Sequence, residues 1–516
     1  MRLGRILFLA VLVVLLGGSI AGAATINVSP GLGTPIQDAI TAANDGDVIV
    51  LAPGNYNEEV TISGFHKLTI TGAGPGVTTI DGTGLILIDD LVSIIDSELI
   101  TIKNCTIDGA GIITHDIAVT NSDKVTIMNC IVESAASGIY SLQSNWLTVK
   151  SCTLKNNTGY GIYNSMVSNL KILASNITTN GTGILLSSCR NSLITKNLIT
   201  YNTTNGFLNF NSKSTVLKQN RVSGNGDIGV FQSCWGLNAN VYSKNVITEN
   251  GSHGVYIERG LPTFIGNTIT NNAGDGLHSA GYPTYTTLIK NTISNNDFHG
   301  FYMLDSCGYM SKNNISGHTA SSAGIYQQLD TDSSVPAILT LANNKLTGND
   351  FGVELLDNTS LPGSGVLNAE KNFCAANVKG VVITNEINAF LDKNKITANI
   401  LAGIESINSH GQTITRNLVY GNMGTGISSG FDSLIYKNKI ANNAGPGIYG
   451  FDTSHVAGNV VLTNAENGID GSGGSGSLVE SNKAFGNGNG ISTFDLYDNG
   501  DDDEWIYNKA GTTSLP

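Results

Sequence analysis

The stretch Ile194-Thr195-Lys196-Asn197-Leu198-Ile199-Thr200-Tyr201-Asn202 recurs as Val241 to Asn250, Phe264 to Asn272 and Leu288 to Asn296. One phrase is being repeated. Aligning on the residue two before the apolar Ile, Leu or Val extends the series in both directions: Cys105, Cys130, Cys152, Ser175, Asn197, Asn220, Asn245, Asn267, Asn291, Asn313, Asn344, Asn372, Asn394, Asn417, Asn438, Asn459 and Asn482. Most intervals are 21 to 25 residues. A unit this short cannot bury its own apolar face and must stack on its neighbours.

The units are short Ile/Val/Leu/Thr runs broken by Asn and Gly, a pattern of strand and turn rather than helix. A second phrase, Asn-x-x-Gly-(Ile/Val/Phe), follows in each unit, as in Asn250-Gly251-Ser252-His253-Gly254-Val255 and Asn296-Asp297-Phe298-His299-Gly300-Phe301. The glycine is expected to supply the bend into the next strand. Asn suits the ladder because its amide can bond the amides one coil above and below, and it tolerates left-handed turn geometry. Two or three short strands per period make one coil of an all-β, single-stranded, right-handed parallel β-helix. The chain resembles the pectin-lyase-like superfamily, in the subgroup built from generic parallel β-helix repeats.

Residues 1–23 carry Arg2 and Arg5, an apolar run Ile6 to Leu16, and Ala21-Gly22-Ala23, the layout of a secretory signal peptide. Residues 24–60 are expected to form an N-terminal cap and first coil: Thr34-Pro35, then Ile36, Ala39, Ile40 and Ala43 on one helical face, then the buried strand Val48 to Leu51. Gly46 to Tyr56 looks like the opening of many members of that superfamily, in which the helix plugs the open end of the stack. Coils occupy 61–492, and 493–516 form a C-terminal cap and acidic tail, with Trp505 expected over the last coil. Seventeen ladder positions at about 4.8 Å per coil give a rod of about 80 Å.

The formal net charge is −13 and only 13% of residues are charged. Such a surface has no electrostatic attraction to nucleic acid or anionic lipid. No later segment is apolar enough to span a bilayer, so the mature chain is expected to be secreted, periplasmic or displayed at the cell surface. Seven cysteines leave at least one unpaired within the chain. Cys105, Cys130 and Cys152 fall on successive coils of the ladder and read either as stacked free thiols or as a disulfide. Cys189, Cys234, Cys307 and Cys374 fall at scattered phases, which argues against a shared metal site.

Side chains alternate between core and solvent along a strand. If the residue after the turn glycine points inward, the next points outward, and that column is Tyr140, Tyr163, Leu185, Leu208, Phe231, Tyr256, His278, Tyr302, Tyr326, Glu354, Val382, Glu405, Ser428, Tyr449, Asp470 and Ser492. An exposed aromatic stripe on a flat sheet is a platform for stacking sugar rings, or else simply coil-to-coil packing. The longest intervals, 31 and 28 residues, place extra residues around Asp330 to Pro336 and Asn358 to Gly365, where loops could wall a binding face. The expected ligand-binding face therefore spans Tyr256, Glu258, His278, Tyr302, Tyr326, Glu354 and Glu405.

Its chemistry is not focused. A glycosidase needs two carboxyls about 5 to 9.5 Å apart. Glu258 and Glu354 are too many coils apart, while Glu354 and Glu405 stand about 10 Å apart. His278 beside Glu258 is a candidate general acid or base. Tyr449-Gly450-Phe451-Asp452-Thr453-Ser454-His455 resembles the Tyr-Gly-Phe-Asp-Pro-His motif of β-helical alginate epimerases, which implies catalytic roles for Tyr449, Asp452 and His455. It departs at Thr453 and at the extra Ser454, and Gly430-Phe431-Asp432 repeats part of it one coil earlier. Asp495, Asp498 and Asp501 belong to an acidic cluster that could hold calcium or be a solvated turn; no other cofactor is implied. The partner these readings favour is a polysaccharide or cell-surface glycan, bound and possibly processed by a lyase, hydrolase or epimerase, with an adhesin or envelope protein as the alternative.

Overall fold

The computed structural model describes residues 22–515 except 87–88, 237–238, 282–283, 320, 332–335, 361–363, 386, 489–491 and 500–501. Residues 1–21 of the expected signal peptide (1–23), and Asp501, thus lie outside the described residues. The chain is a parallel β-solenoid of about 20 turns with one short helix. Each coil contributes one strand to each of three sheets. In one turn these are Leu193–Thr195 in sheet A, Leu198–Thr200 in sheet B and Phe207–Phe210 in sheet C. In most three-residue strands the central residue is buried and its neighbours are more exposed, as Ile194 and Ile199 show.

The expected ladder is present at the corner between sheets A and B. Asn245 donates from its backbone N–H and its Nδ2 to Asn267 Oδ1 at 2.9 and 3.0 Å, and its Nδ2 also reaches Leu217 O at 2.8 Å. The series continues to Asn508. The same pattern stands at the corner between sheets B and C, where Asn180, Asn202, Asn225, Asn250 and Asn272 join in sequence. Serines do the equivalent work at the third corner, as when Ser122 N–H donates to Ser144 Oγ.

Two details of the expected turn chemistry change. The left-handed residue is the one before the ladder Asn, such as Lys196 at φ 59° or Lys244 at φ 55°, because that side chain points to solvent while the Asn turns inward. The glycines that recur at this phase of the coil are required for space rather than for a bend. A Cβ on Gly206 would come within 2.7 Å of Gly229 O and 2.8 Å of Asn225 Nδ2, so only a bare Cα lets adjacent coils approach.

Helix α1 (Pro35–Ala42) packs Ile36, Ala39 and Ile40 over the first coil. Thr34 does not cap it with its side chain. The buried Glu58 accepts from Ile36 N–H and Gln37 N–H, each at 2.9 Å, placing a carboxylate at the positive end of the helix. Coil pairing begins at Thr25–Val28 and runs through Thr513–Ser514, so the expected C-terminal cap continues all three sheets. Trp505 packs against the core there. All seven cysteines are free, with Cys105 Sγ and Cys130 Sγ 3.8 Å apart in the ladder column. Extra residues in the two longest coils lengthen strands to Ala323–Leu329, Ala337–Ala342, Phe351–Asp357 and Gly365–Glu370; 332–335 and 361–363 of the expected loops lie outside the described residues.

Candidate functional site on sheet C

Strand register brings the expected outward column together, one residue per coil: Phe231, Tyr256, His278, Tyr302, Tyr326, Glu354, Val382 and Glu405 are successive partners. The column ends differently from the expectation. Tyr497, not Ser492, pairs with Asp470, because the last full coil is longer and its sheet C strand begins at Leu496.

The rings do not lie flat as a sugar platform. Tyr256 and His278 are stacked at 4.8 Å with 6° between planes, and His278 and Tyr302 at 4.6 Å with 25°. Tyr302 and Tyr326 follow at 5.3 Å. Faces stacked along the rod are consumed by each other, which leaves each ring half-buried with its polar edge outward. The Tyr302 and Tyr326 hydroxyls both donate to Gln328 Oε1, at 3.1 and 3.2 Å. The face therefore offers hydroxyls and imidazole nitrogens rather than flat apolar area.

A second column beside the rings was not anticipated from the sequence. It consists of the residue just before the turn glycine: His253, Asp275, His299 and Ala323. Each links to the next coil through a side-chain to main-chain bond. Asp275 N–H donates to His253 Nδ1 at 3.0 Å, His299 N–H to Asp275 Oδ1 at 2.9 Å, and Ala323 N–H to His299 Nδ1 at 2.9 Å. The other Asp275 oxygen meets His278 Nδ1 at 2.9 Å. Asp275, rather than Glu258, is thus the carboxylate that orients His278. Glu258 occupies a bulge opposite the Gln232/Ser233 step, where strand register shifts. The available signal was three successive coils with His, Asp, His immediately before the turn glycine.

These contacts assign protons. A nitrogen that accepts an amide N–H cannot carry a hydrogen, so His253 and His299 are Nε2–H tautomers. In His278 the Nδ1–H points to Asp275 and leaves Nε2 as a lone pair. His253, Asp275 and His278 each bring a ligand atom within 4.8 Å of the others, spacing that could surround a metal ion. The amide bond to His253 Nδ1 fixes a hydrogen on its other nitrogen and opposes that use. Burial pushes the Asp275 pKa up, but the hydrogen bond that His278 donates, with the charge of the neighbouring imidazoles, outweighs it and holds the carboxyl below its ordinary value. Burial lowers His299 and raises Tyr302; it pushes Tyr326 up to about 12, helped by Glu354.

Burial also pushes Glu354 up to about 6, against the opposing charge of Lys379. Glu405 is two coils from Glu354, as spaced in the sequence, but its Oε2 is paired with Lys379 Nζ at 2.5 Å. A carboxylate so engaged is not a free partner for an inverting pair. Tyr449, Asp452 and His455 run around the corner from sheet C to sheet A, with no hydrogen bond joining them. His455 pairs with Glu480 at 2.9 Å, and Asp452 accepts from Ser475 N–H. Asp495 closes the second ladder, accepting from Asn487, Gly511 and Thr512, and Asp498 accepts from Trp505 Nε1.

The model of the right handed beta helix region matches residues 90–243, 238–372 and 363–499, and the chain belongs to this family. No curated protein sequence matches it significantly. Among solved structures, it is similar to the Azotobacter vinelandii mannuronan C-5 epimerase AlgE6 A-module at 18% identity and TM-score 0.44, covering 64% of this chain and 94% of that one. It is also similar to the PL6 family alginate lyase AlyGC, at 11% identity and TM-score 0.32 over 95% and 100%. The Pseudomonas phage phi297 tailspike gp61 is matched at 10% and 0.38 over 66% and 72%. At these identities and scores activity does not transfer. No described helix is long and apolar enough to cross a membrane.

Proposed function

We propose that this is an exported protein that binds an extended polysaccharide along sheet C between Tyr256 and Glu405 and acts on it by proton transfer at His278. The observation that carries the reading is the pairing of His278 Nδ1 with the buried carboxylate of Asp275, which leaves Nε2 as an oriented base on an open, multi-coil face. Asp275 fixes the tautomer and stabilises the imidazolium formed when Nε2 takes a proton. The Tyr302 and Tyr326 phenols stay protonated at neutral pH and give their hydrogens to Gln328, which leaves their oxygens to accept from hydroxyl groups of a sugar chain. A row of polar edges running along the rod suits a polymer lying parallel to its axis.

The reaction class favoured is proton abstraction from a sugar ring, followed by elimination or by return of the proton to the other face. Hydrolysis is disfavoured because Glu405 is held by Lys379. The test is a panel of acidic and neutral polysaccharides with the mature chain and His278→Gln, following binding, unsaturated ends and reducing ends. Unsaturated ends from the wild type alone support the reading. Equal product release by His278→Gln overturns the catalytic part, and absence of any polysaccharide binding overturns the whole, leaving the ring column as coil packing.

A further inference from the structure

Sheet B carries a second feature, at the C-terminal end of the rod and on a different face. One of its columns begins with charged residues, Asp108, Glu133 and Lys155, and is then monotonous through the middle coils: Thr178, Thr200, Ser223, Thr248, Thr270, Ser294, Ser316 and Thr347 succeed one another, followed by Ala375 and Thr397. Beyond Thr397 the same column becomes Tyr420, Ala441, Leu462 and Phe485. The two exposed aromatics stand three coils apart with small and aliphatic side chains between them, and they bound an open groove of about 780 Å³.

The adjoining column alternates. Lys345, Phe373, Lys395, Leu418, Lys439, Val460 and Lys483 are successive partners, followed by Lys509. A cation therefore recurs on every second coil, at intervals of about 9.6 Å. These lysines are exposed, and none forms an ion pair among the described residues. No carboxylate lines the groove. In a chain of net charge −13, an uncompensated row of cations beside an apolar groove is a local reversal of sign.

We propose that this groove and lysine row bind an extended acidic polysaccharide, its charged groups falling on the lysines of alternate coils and a sugar face resting between Tyr420 and Phe485. Carboxylate and sulfate groups share the required chemistry. The alternation favours a chain bearing its acid on every second sugar, since one sugar residue and one coil are of similar length. This site does not depend on the reading of sheet C.

The test uses the mature chain with Tyr302→Ala and Tyr326→Ala in place, so that sheet C contributes little binding. Hyaluronan, polygalacturonate, neutral dextran and a single-stranded oligothymidine are titrated against this protein and against its Lys395→Gln, Lys439→Gln, Lys483→Gln form. The expected result is binding of an acidic polysaccharide that weakens with salt and falls about tenfold in the glutamine form, the sum expected of three exposed ion pairs. The corresponding arginine form should retain it, and Tyr420→Ser with Phe485→Ser, which restores the side chains this column holds elsewhere, should weaken it. Affinity unchanged within twofold by the glutamine substitutions, failure of both acidic polysaccharides to bind, or equal binding of oligothymidine would each overturn the proposal.

Discussion

The inner corners of the rod and the outer face of sheet C obey opposite rules. At the corners one residue type is repeated coil after coil, because each turn presents the same backbone groups to be satisfied and one Asn satisfies them all. On the outer face between Tyr256 and Glu405 the residue changes at nearly every step: Tyr, His, Tyr, Tyr, Glu, Val, Glu. Repetition marks the scaffold, and its loss marks where side chains are chosen for something other than stacking. Sheet B repeats the lesson, with the Thr and Ser column of its middle coils giving way to Tyr420 and Phe485 toward the C-terminal end.

The comparison is most directly broken at His278. If departure from the repeat signals chemistry, His278→Gln should reduce product release by about 10²- to 10⁴-fold while leaving polysaccharide affinity within a few fold. A matching loss of affinity would place His278 among the binding groups instead. The scaffold side is tested at Asn267, which is fully engaged in both directions along the ladder. Asn267→Ala strands the buried Asn245 N–H and the Tyr242 carbonyl and should cost roughly 3–5 kcal/mol in denaturant unfolding, with the outer face unchanged wherever the fold survives.

Much of this was legible from the sequence, and the boundary of legibility is physical. The ladder and the outward column follow from period and alternation, so Asn197 to Asn482 and Phe231 to Glu405 fall where the repeat puts them. Ring orientation does not follow from period, which is why the aromatic column reads from sequence either as a sugar platform or as coil packing, whereas in the fold Tyr256 and Tyr302 each spend a face on His278. Asp275 was missed because it sits in a turn, where its importance comes from hydrogen bonds to residues on other coils. Glu258 was misplaced because a bulge at Gln232/Ser233 cannot be seen in a spacing count.

Asp275 also gives the site an acid limit. Its folded pKa, about 2, lies below its ordinary value of 3.8, so it contributes stability above pH 4 that is lost as pH falls toward 2. The expected loss is about 2 kcal/mol at most. Asp275→Asn should abolish that part of the acid dependence, measured by urea unfolding from pH 5 to pH 2, while Asn267→Ala should leave its shape intact.

One corner position combines both rules, and it makes the finest test. His318 takes the place of Asn in the second ladder, between Asn296 and Asn349. Its own N–H still donates to Asn349 Oδ1 at 3.1 Å, but both ring nitrogens are buried without a partner, and the bonds that would tie Asn296 to the next coil are missing. Burial, with His299 nearby, holds its pKa at about 4, below the ordinary 6.5. An imidazole kept neutral in the fold but protonated when unfolded costs stability as pH falls from 6.5 to 4, a window distinct from that of Asp275. His318→Asn should restore the ladder, add about 1 kcal/mol at neutral pH and remove the dependence between pH 6.5 and 4. If stability rises while product release falls, the scaffold has yielded stability to the site in front of it; if both hold steady, His318 is a tolerated break in the repeat and the contrast between corner and face is the weaker for it.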